Sequence, residues 1–278
     1  MGFTTLIEWC DSTVNPTTGC DGCELWHVRD KGPCYAGSIH ERRLAKSLPN
    51  LYAPSFTDVR LAPGRMAAAA KWSDLRGKPR AGKPWLSGHP RTIFVGDMGD
   101  VFSKDVPDQY LRDEIVGTAQ SELGRRHNWL LLTKQVRRAA AFIRSIGGAW
   151  PRNLWLGVSI TTAATIDREL VLADQHAVSV KFLSIEPILR PLSLSADVLR
   201  AIDWVIVGGE SGPNARPCDV EWVRRIVRQC QVDGVPVFVK QLGSNPQGIK
   251  PLRHKTGSNP DEWPEDLRVW EFPGGGDR

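Results

Sequence analysis

The chain has 278 residues, 41% of them hydrophobic and 24% charged, which supplies a core for one large domain and excludes wholesale disorder. Its net charge of +5 permits a nucleic-acid partner without requiring one, because only a clustered basic surface holds phosphate well. No apolar run approaches the roughly 20 residues that span a bilayer, and the N-terminal segment lacks the basic n-region of a secretory signal, so a soluble, cytoplasmic protein without membrane contact is expected.

A first strand is predicted over residues 6–9. The loop behind it carries Cys20, Cys23 and Cys34, three of six cysteines, and a reducing cytoplasm turns such a cluster toward metal or redox chemistry. His40 and the Arg42-Arg43 pair then read as the solvated face of a helix. Residues 49–90 break the rhythm with Arg60, Arg65, Lys71, Arg76, Lys78, Arg80 and Lys83, interleaved with Trp72 and Trp85. Basic residues with aromatics between them can track a phosphate backbone and stack on bases. The same segment also reads as a solvated insertion.

From residue 91 onward, strands are predicted at 92–95, 129–132, 154–159, 180–185, 204–207 and 236–239. These are nearly continuous apolar runs, the pattern of strands buried on both faces of a parallel sheet. Helices alternate with them. One starts at Pro107 and aligns Leu111, Ile115, Ala119 and Leu123; others cover 136–146 and 162–175. The last runs from an Asp219 N-cap through Val220, Val223, Val227 and Cys230 to Gly234. The alternation implies an α/β fold, a TIM-like βα barrel, partial or complete, over residues 1–245, carrying the basic insertion and followed by a tail at 246–278 that packs on it. A doubly wound open sheet is the alternative.

Both architectures gather chemistry at the carboxyl ends of strands, and polar residues recur there. They are Gly96-Asp97-Met98-Gly99-Asp100, Thr133-Lys134, Ser159 with Thr161, Ser184-Ile185-Glu186-Pro187, Gly208-Gly209-Glu210-Ser211-Gly212 and Lys240-Gln241. Lys134, Glu210 and Lys240 are the candidates for catalytic groups. Each rim residue also has a structural reading: Asp97 or Asp100 as a turn cap, Glu186 bridged to Lys134 or Lys240, Gly208-Gly209 as tight geometry. Cys230 reads as core, and Cys218 as a thiol that could reach the rim. P-loop, nucleophile-elbow and His-Glu-x-x-His signatures are absent.

The Cys20-x2-Cys23-x10-Cys34 constellation admits two metal readings. Three thiolates can hold three irons of a 4Fe–4S cluster and leave the fourth iron open. Alternatively, Cys20, Cys23, His27 and Cys34 form a Cys3His set suited to tetrahedral zinc. For all three sulfurs to converge, the residues between Cys23 and Cys34 must loop out.

Ile7-Glu8-Trp9, Asn15-Pro16-x-x-Gly19-Cys20 and Cys34-Tyr35-Ala36 resemble the opening of a phage- and bacteria-borne family of unknown function classed as radical-SAM-like. That family is distantly similar to spore photoproduct lyase. The resemblance continues through Phe94–Met98, Leu132-Thr133-Lys134, Ser184–Pro187, the run from Trp204 to Gly212, Phe238–Gly243 and Glu262–Val269, so it covers nearly the whole chain. It implies a 4Fe–4S cluster on Cys20, Cys23 and Cys34 and S-adenosylmethionine as co-substrate, cleaved by one electron to a 5′-deoxyadenosyl radical. It places the methionine amino end at Gly96, Asp97 and Met98, the ribose at Ser159 and Glu186, and the adenosine beside Gly208 and Gly209. It further implies an electron donor, a neighbouring three-Cys-motif partner protein, a cytoplasmic site of action (the host's, if phage-encoded) and, with the basic insertion, a nucleic-acid base or nucleoside as substrate. The alternative is a zinc-containing nucleic-acid-binding protein without radical chemistry.

Overall fold

Short runs of β-branched and aromatic residues set the strands of a mixed α/β fold. The computed structural model describes residues 2–26 and 34–274. Its Cα packing separates two compact units: Met1–Pro79, Gly88–Trp155 and Ala177–Ser179 form the first, and Arg80–Ser87, Leu156–His176 and Val180–Arg278 the second.

In the first unit the chain runs through β1 (Ser12–Val14), β2 (Thr17–Thr18), helix α1 (35–47, π-helical over His40–Leu44), β3 (Arg60–Leu61), α2 (Arg65–Ala70), β4 (Arg91–Val95), α3 (108–120, π-helical over Leu111–Gly117), β5 (His127–Thr133) and α4 (Val136–Ser145). The strand expected at residues 6–9 is not there: Leu6 is 95% exposed, and the pairing falls to β1, which runs parallel to β4 with Ser12 opposite Ile93 and Val14 opposite Val95. The Asp11 carboxylate accepts from Thr92 N at 2.8 Å, while Asp11 N donates to the Thr92 carbonyl at 2.9 Å, which pins this register. β4 pairs in parallel with β5, Arg91 opposite His127 and Val95 opposite Leu131.

Pro107 caps α3 rather than opening it. Leu111, Ile115 and Ala119 are buried as predicted, but Leu123 lies past the end and is exposed. The Ser121 hydroxyl takes the Thr118 carbonyl at 2.7 Å and stops the helix there. α4 occupies its predicted span and buries Val136, Ala139, Ala140 and Ile143, with Phe142 against Phe102. The basic insertion is stitched to this unit by antiparallel pairing of β3 with β2, and Trp72 meets Phe3 edge-on.

The second unit holds most of β6 (Leu154–Ser159), then α5 (Asp167–Ala173), β7 (Lys181–Ile185), α6 (Ala196–Ala201), β8 (Trp204–Gly208), β9 (Cys218–Asp219), α7 (Val220–Asp233), β10 (Val237–Gln241) and β11 (Pro246–Gln247). β6, β7, β8 and β10 pair in that order, all parallel, with Ser159 opposite Ser184, Ile185 opposite Val207 and Val207 opposite Val239. Gly157 is required because the Phe182 ring occupies the place of its Cβ.

α7 matches its prediction at both ends. Asp219 accepts from Glu221 N, and Gly234 closes the helix at φ +68°. α5 is shorter than the predicted 162–175, because a Thr162/Thr165 capping box first closes a 3₁₀ turn at Ala163–Thr165. The tail packs on strands of its own unit: Trp204 Nε1 donates to the Glu271 carbonyl at 2.9 Å, Trp270 stacks on Trp85 and Phe272 meets Trp204 edge-on. No helix among the described residues is long and apolar enough to cross a membrane.

Candidate functional site

The cysteine loop of the first unit is joined to the turn after β4. Gly19 N donates to the Met98 carbonyl at 3.3 Å, and Gly19 and Gly99 form a parallel bridge so close that a Cβ on Gly99 would fall 2.5 Å from the Gly19 carbonyl. The next residue is Cys20, whose N–H donates to the Phe56 carbonyl at 2.8 Å. Cys23 and Trp26 exchange backbone hydrogen bonds of 3.2 and 3.0 Å, and Cys34 N donates to the Leu25 carbonyl at 3.1 Å. Cys34 is thereby returned to the Cys23 hairpin. His27, the fourth member of the zinc set, lies outside the described residues.

All three cysteines are free and half-buried. Burial, then the Asp100 charge and a smaller contribution from Cys23, push the Cys20 thiol up to about 12. Burial also raises Cys23, opposed by the Lys134 ammonium and added to by Cys34. Cys23 therefore lies within electrostatic reach of Cys20 on one hand and of Cys34 on the other, with a lysine nearby. Among the described residues no three His, Cys, Asp or Glu side chains close around a single ion position.

Beside this loop, Asn15 organises the turn after β4. Its Nδ2 donates to Asp97 Oδ1 at 2.6 Å and its Oδ1 accepts from Met98 N at 3.0 Å, while the Tyr35 hydroxyl donates to the Asp97 carbonyl at 2.9 Å. Gly96 makes the turn at φ +91°. Burial raises the Asp97 carboxyl, and the Asn15 hydrogen bond opposes that. Asp100 is different in kind. It is buried and accepts from Phe102 N, Thr133 Oγ1 and Lys134 N at 2.8–3.0 Å, so it ties the end of β5 to the turn after β4. In the sequence Asn15 stands only within the Asn15-Pro16-x-x-Gly19-Cys20 motif; nothing local marks its amide as the anchor of a turn 82 residues away.

His40 corrects its expectation. It is fully buried, with Nε2 at 2.7 Å from the Ala53 carbonyl and its ring edge-on to Tyr52 and Phe56, whereas Arg42 and Arg43 are exposed as predicted. The seven insertion residues are not equivalent. Arg60 donates to the Pro49 carbonyl and Arg65 to the Asn15 carbonyl; Lys71, Arg76 and Lys78 are exposed; Arg80 and Lys83 belong to the second unit.

In the second unit, Glu186 forms an ion pair with Lys240, and Gln241 Nε2 donates to the same oxygen, Oε1, at 3.3 Å. Glu210 is gripped by Arg216 through N, Nε and Nη2 at 2.7–2.9 Å. Burial alone would raise the Glu210 carboxyl, but the Arg216 hydrogen bonds and charge outweigh it, and the group sits below its ordinary range. Two of the three candidate catalytic groups are thus committed to partners, and Lys134 beside Cys23 is the third. Gly209 is dictated by chain packing, since a Cβ there would collide with the Leu242 carbonyl, and one on Gly208 would sit 3.0 Å from the Gln241 carbonyl. Ser159 is buried, its carbonyl accepting from Arg168 at 2.9 Å. Cys218 is buried beneath Gly209 and pushed up to about 12 by burial, and Cys230 is core. Arg216 is the partner that the sequence did not single out.

Parallel strands carrying an interstrand loop of three free cysteines define the class: a mixed α/β protein with a thiol cluster anchored at the end of a strand. The chain belongs to the family described as Protein of unknown function (DUF5131), which matches residues 4–264. No curated protein and no solved structure matches it.

Proposed function

We propose that the protein is a radical-SAM-type iron–sulfur enzyme acting on a nucleic-acid base or nucleoside, with its strands forming a partial TIM-like βα barrel. The observation that carries this reading is the backbone anchoring of the cysteine loop: Gly19, beside Cys20, is bonded to the turn after β4, and Cys34 is bonded back to Leu25 within the Cys23 hairpin. Three free thiols with no disulfide partner suit an Fe–S donor set. Burial raises the proton affinity of Cys20 and Cys23, and cluster binding would release those protons, because ligation requires thiolates. A cluster held by Cys20, Cys23 and Cys34 would supply the one-electron reductive cleavage of S-adenosylmethionine to a 5′-deoxyadenosyl radical, the electron coming from an external donor.

The chain's own residues then bind and orient. Asp97 holds one oxygen on Asn15, and its other oxygen has no partner among the described residues. A half-buried carboxylate with one oxygen left over suits the methionine ammonium, whose charge offsets the burial that raises Asp97. Lys134 supplies positive charge beside Cys23 and favours its thiolate. Glu186 keeps Oε2 open while Lys240 and Gln241 fix Oε1, which suits a hydroxyl of a ribose. Lys240 and Glu210 act as positioning residues. The exposed Lys71, Arg76 and Lys78 supply charge for a nucleic-acid substrate. An electron donor and the three-Cys-motif partner protein complete the proposed cytoplasmic system.

Anaerobic purification tests this. A brown protein whose visible absorption is bleached by dithionite, and which forms 5′-deoxyadenosine from S-adenosylmethionine and reductant, supports it. A colourless protein with stoichiometric zinc, lost on His27→Ala, establishes the zinc alternative instead.

A further inference from the structure

The helix that leaves Cys34 buries His40 on one side, and on another it borders a pocket of about 410 Å³ lined by Trp26, Ser38, Glu41, Arg42, Lys46 and Pro54. That volume is in the range of small-ligand sites. Ser38, Arg42 and Lys46 recur every fourth residue, a spacing that drifts by about 40° per step around an ideal α-helix. The π-helical stretch His40–Leu44 lies inside this run, and its wider turn counters the drift, so all three line one pocket. Gly37 fixes the aromatic wall, since a Cβ there would fall 2.7 Å from the Trp26 ring. Arg42 and Lys46 are exposed and have no ion-pair partner among the described residues. The one acid, Glu41, already accepts from Phe56 N at 3.3 Å.

Two unpaired cations and a hydroxyl along about 12 Å of helix, beside an aromatic wall, are the chemistry of a phosphate site. We propose that this pocket binds the phosphate of a nucleic-acid strand, seating the strand on the helix that begins at the thiol loop. The choice of a strand over a free nucleotide rests on the proposed substrate class; the phosphate site itself rests on the pocket alone.

The test needs no cluster, so its failure is separable from failure of the radical reading. A short fluorescein-labelled single-stranded oligodeoxynucleotide is titrated with the purified full chain at several salt concentrations, followed by anisotropy. The Arg42→Ala/Lys46→Ala variant should bind about tenfold more weakly, and its slope of log K against log salt should fall by about 1.4, roughly 0.7 for each lost phosphate contact. Arg43→Ala removes the same charge beside the pocket without lining it, and should leave both nearly unchanged. Wild-type affinity and slope in the double variant, or an Arg43→Ala loss equal to that of Arg42→Ala, overturns the site. Calorimetric binding of adenosine monophosphate that the double variant loses, with oligonucleotide binding intact, supports the phosphate site and overturns the strand as its source.

Discussion

Asp97 and Asp100 stand three residues apart on one turn, yet their surroundings assign them opposite work. Asp100 spends both oxygens on Phe102 N, Thr133 Oγ1 and Lys134 N, whereas Asp97 uses one, on Asn15. Asp100→Ala should therefore strand three buried donors and cost about 3 kcal/mol or more, read as a lowered urea midpoint. Asn15→Ala should cost roughly 1–3 kcal/mol through the Asp97 and Met98 contacts. If Asn15→Ala proves as neutral as an ordinary surface change, the proposed anchoring of this turn is wrong. The thiol cluster was legible in the sequence because residue type and spacing are written there directly. The roles of Asn15 and Arg216 were not, because each comes from a partner that only the folded chain supplies.

Elements were legible where their signals are local. α7 could be read at both ends because Asp219 and Gly234 act on their immediate neighbours. β1 could not, because Ser12-Thr13-Val14 carries little hydrophobicity and is a strand through its pairing with β4, while the more apolar residues 6–9 have no such partner strand. Leu123 continues the 3.6-residue pattern of α3 but follows a stop made by the Ser121 side chain, which periodicity does not register. Between elements, close backbone approach dictates glycine at Gly99 in the first unit and Gly209 in the second. Gly99→Ala should push the cysteine loop away from the turn after β4 and destabilise by roughly 1–3 kcal/mol. Gly64→Ala, where a Cβ meets nothing within 4 Å, would bear only the strain of φ +81°. Equal thermal midpoints for Gly99→Ala and wild type would contradict the close approach.

For the whole molecule, buried carboxyls set the acid side of the stability profile. Glu169 on α5 is buried with Oε2 unpartnered, and burial raises it from 4.5 to about 7. The folded chain thus binds a proton there more tightly than the unfolded chain. Between about 4.5 and 7 it holds more protons, so stability falls as pH rises across that window and levels off above it. Burial raises Asp97 and Asp100 in the same direction. Glu169→Gln should flatten the slope and stabilise the protein at pH 8 by roughly 2–3 kcal/mol; an unchanged slope would show that the carboxyl is solvated after all.

We propose that Cys20, Cys23 and Cys34 jointly hold an iron–sulfur cluster. Iron and acid-labile sulfide should be counted per chain after anaerobic reconstitution, in wild type and in Cys23→Ala. About four of each should be found in the wild type, with a near-complete loss in the variant. Iron and sulfide retained in full by Cys23→Ala, or absent from the wild type, would contradict it.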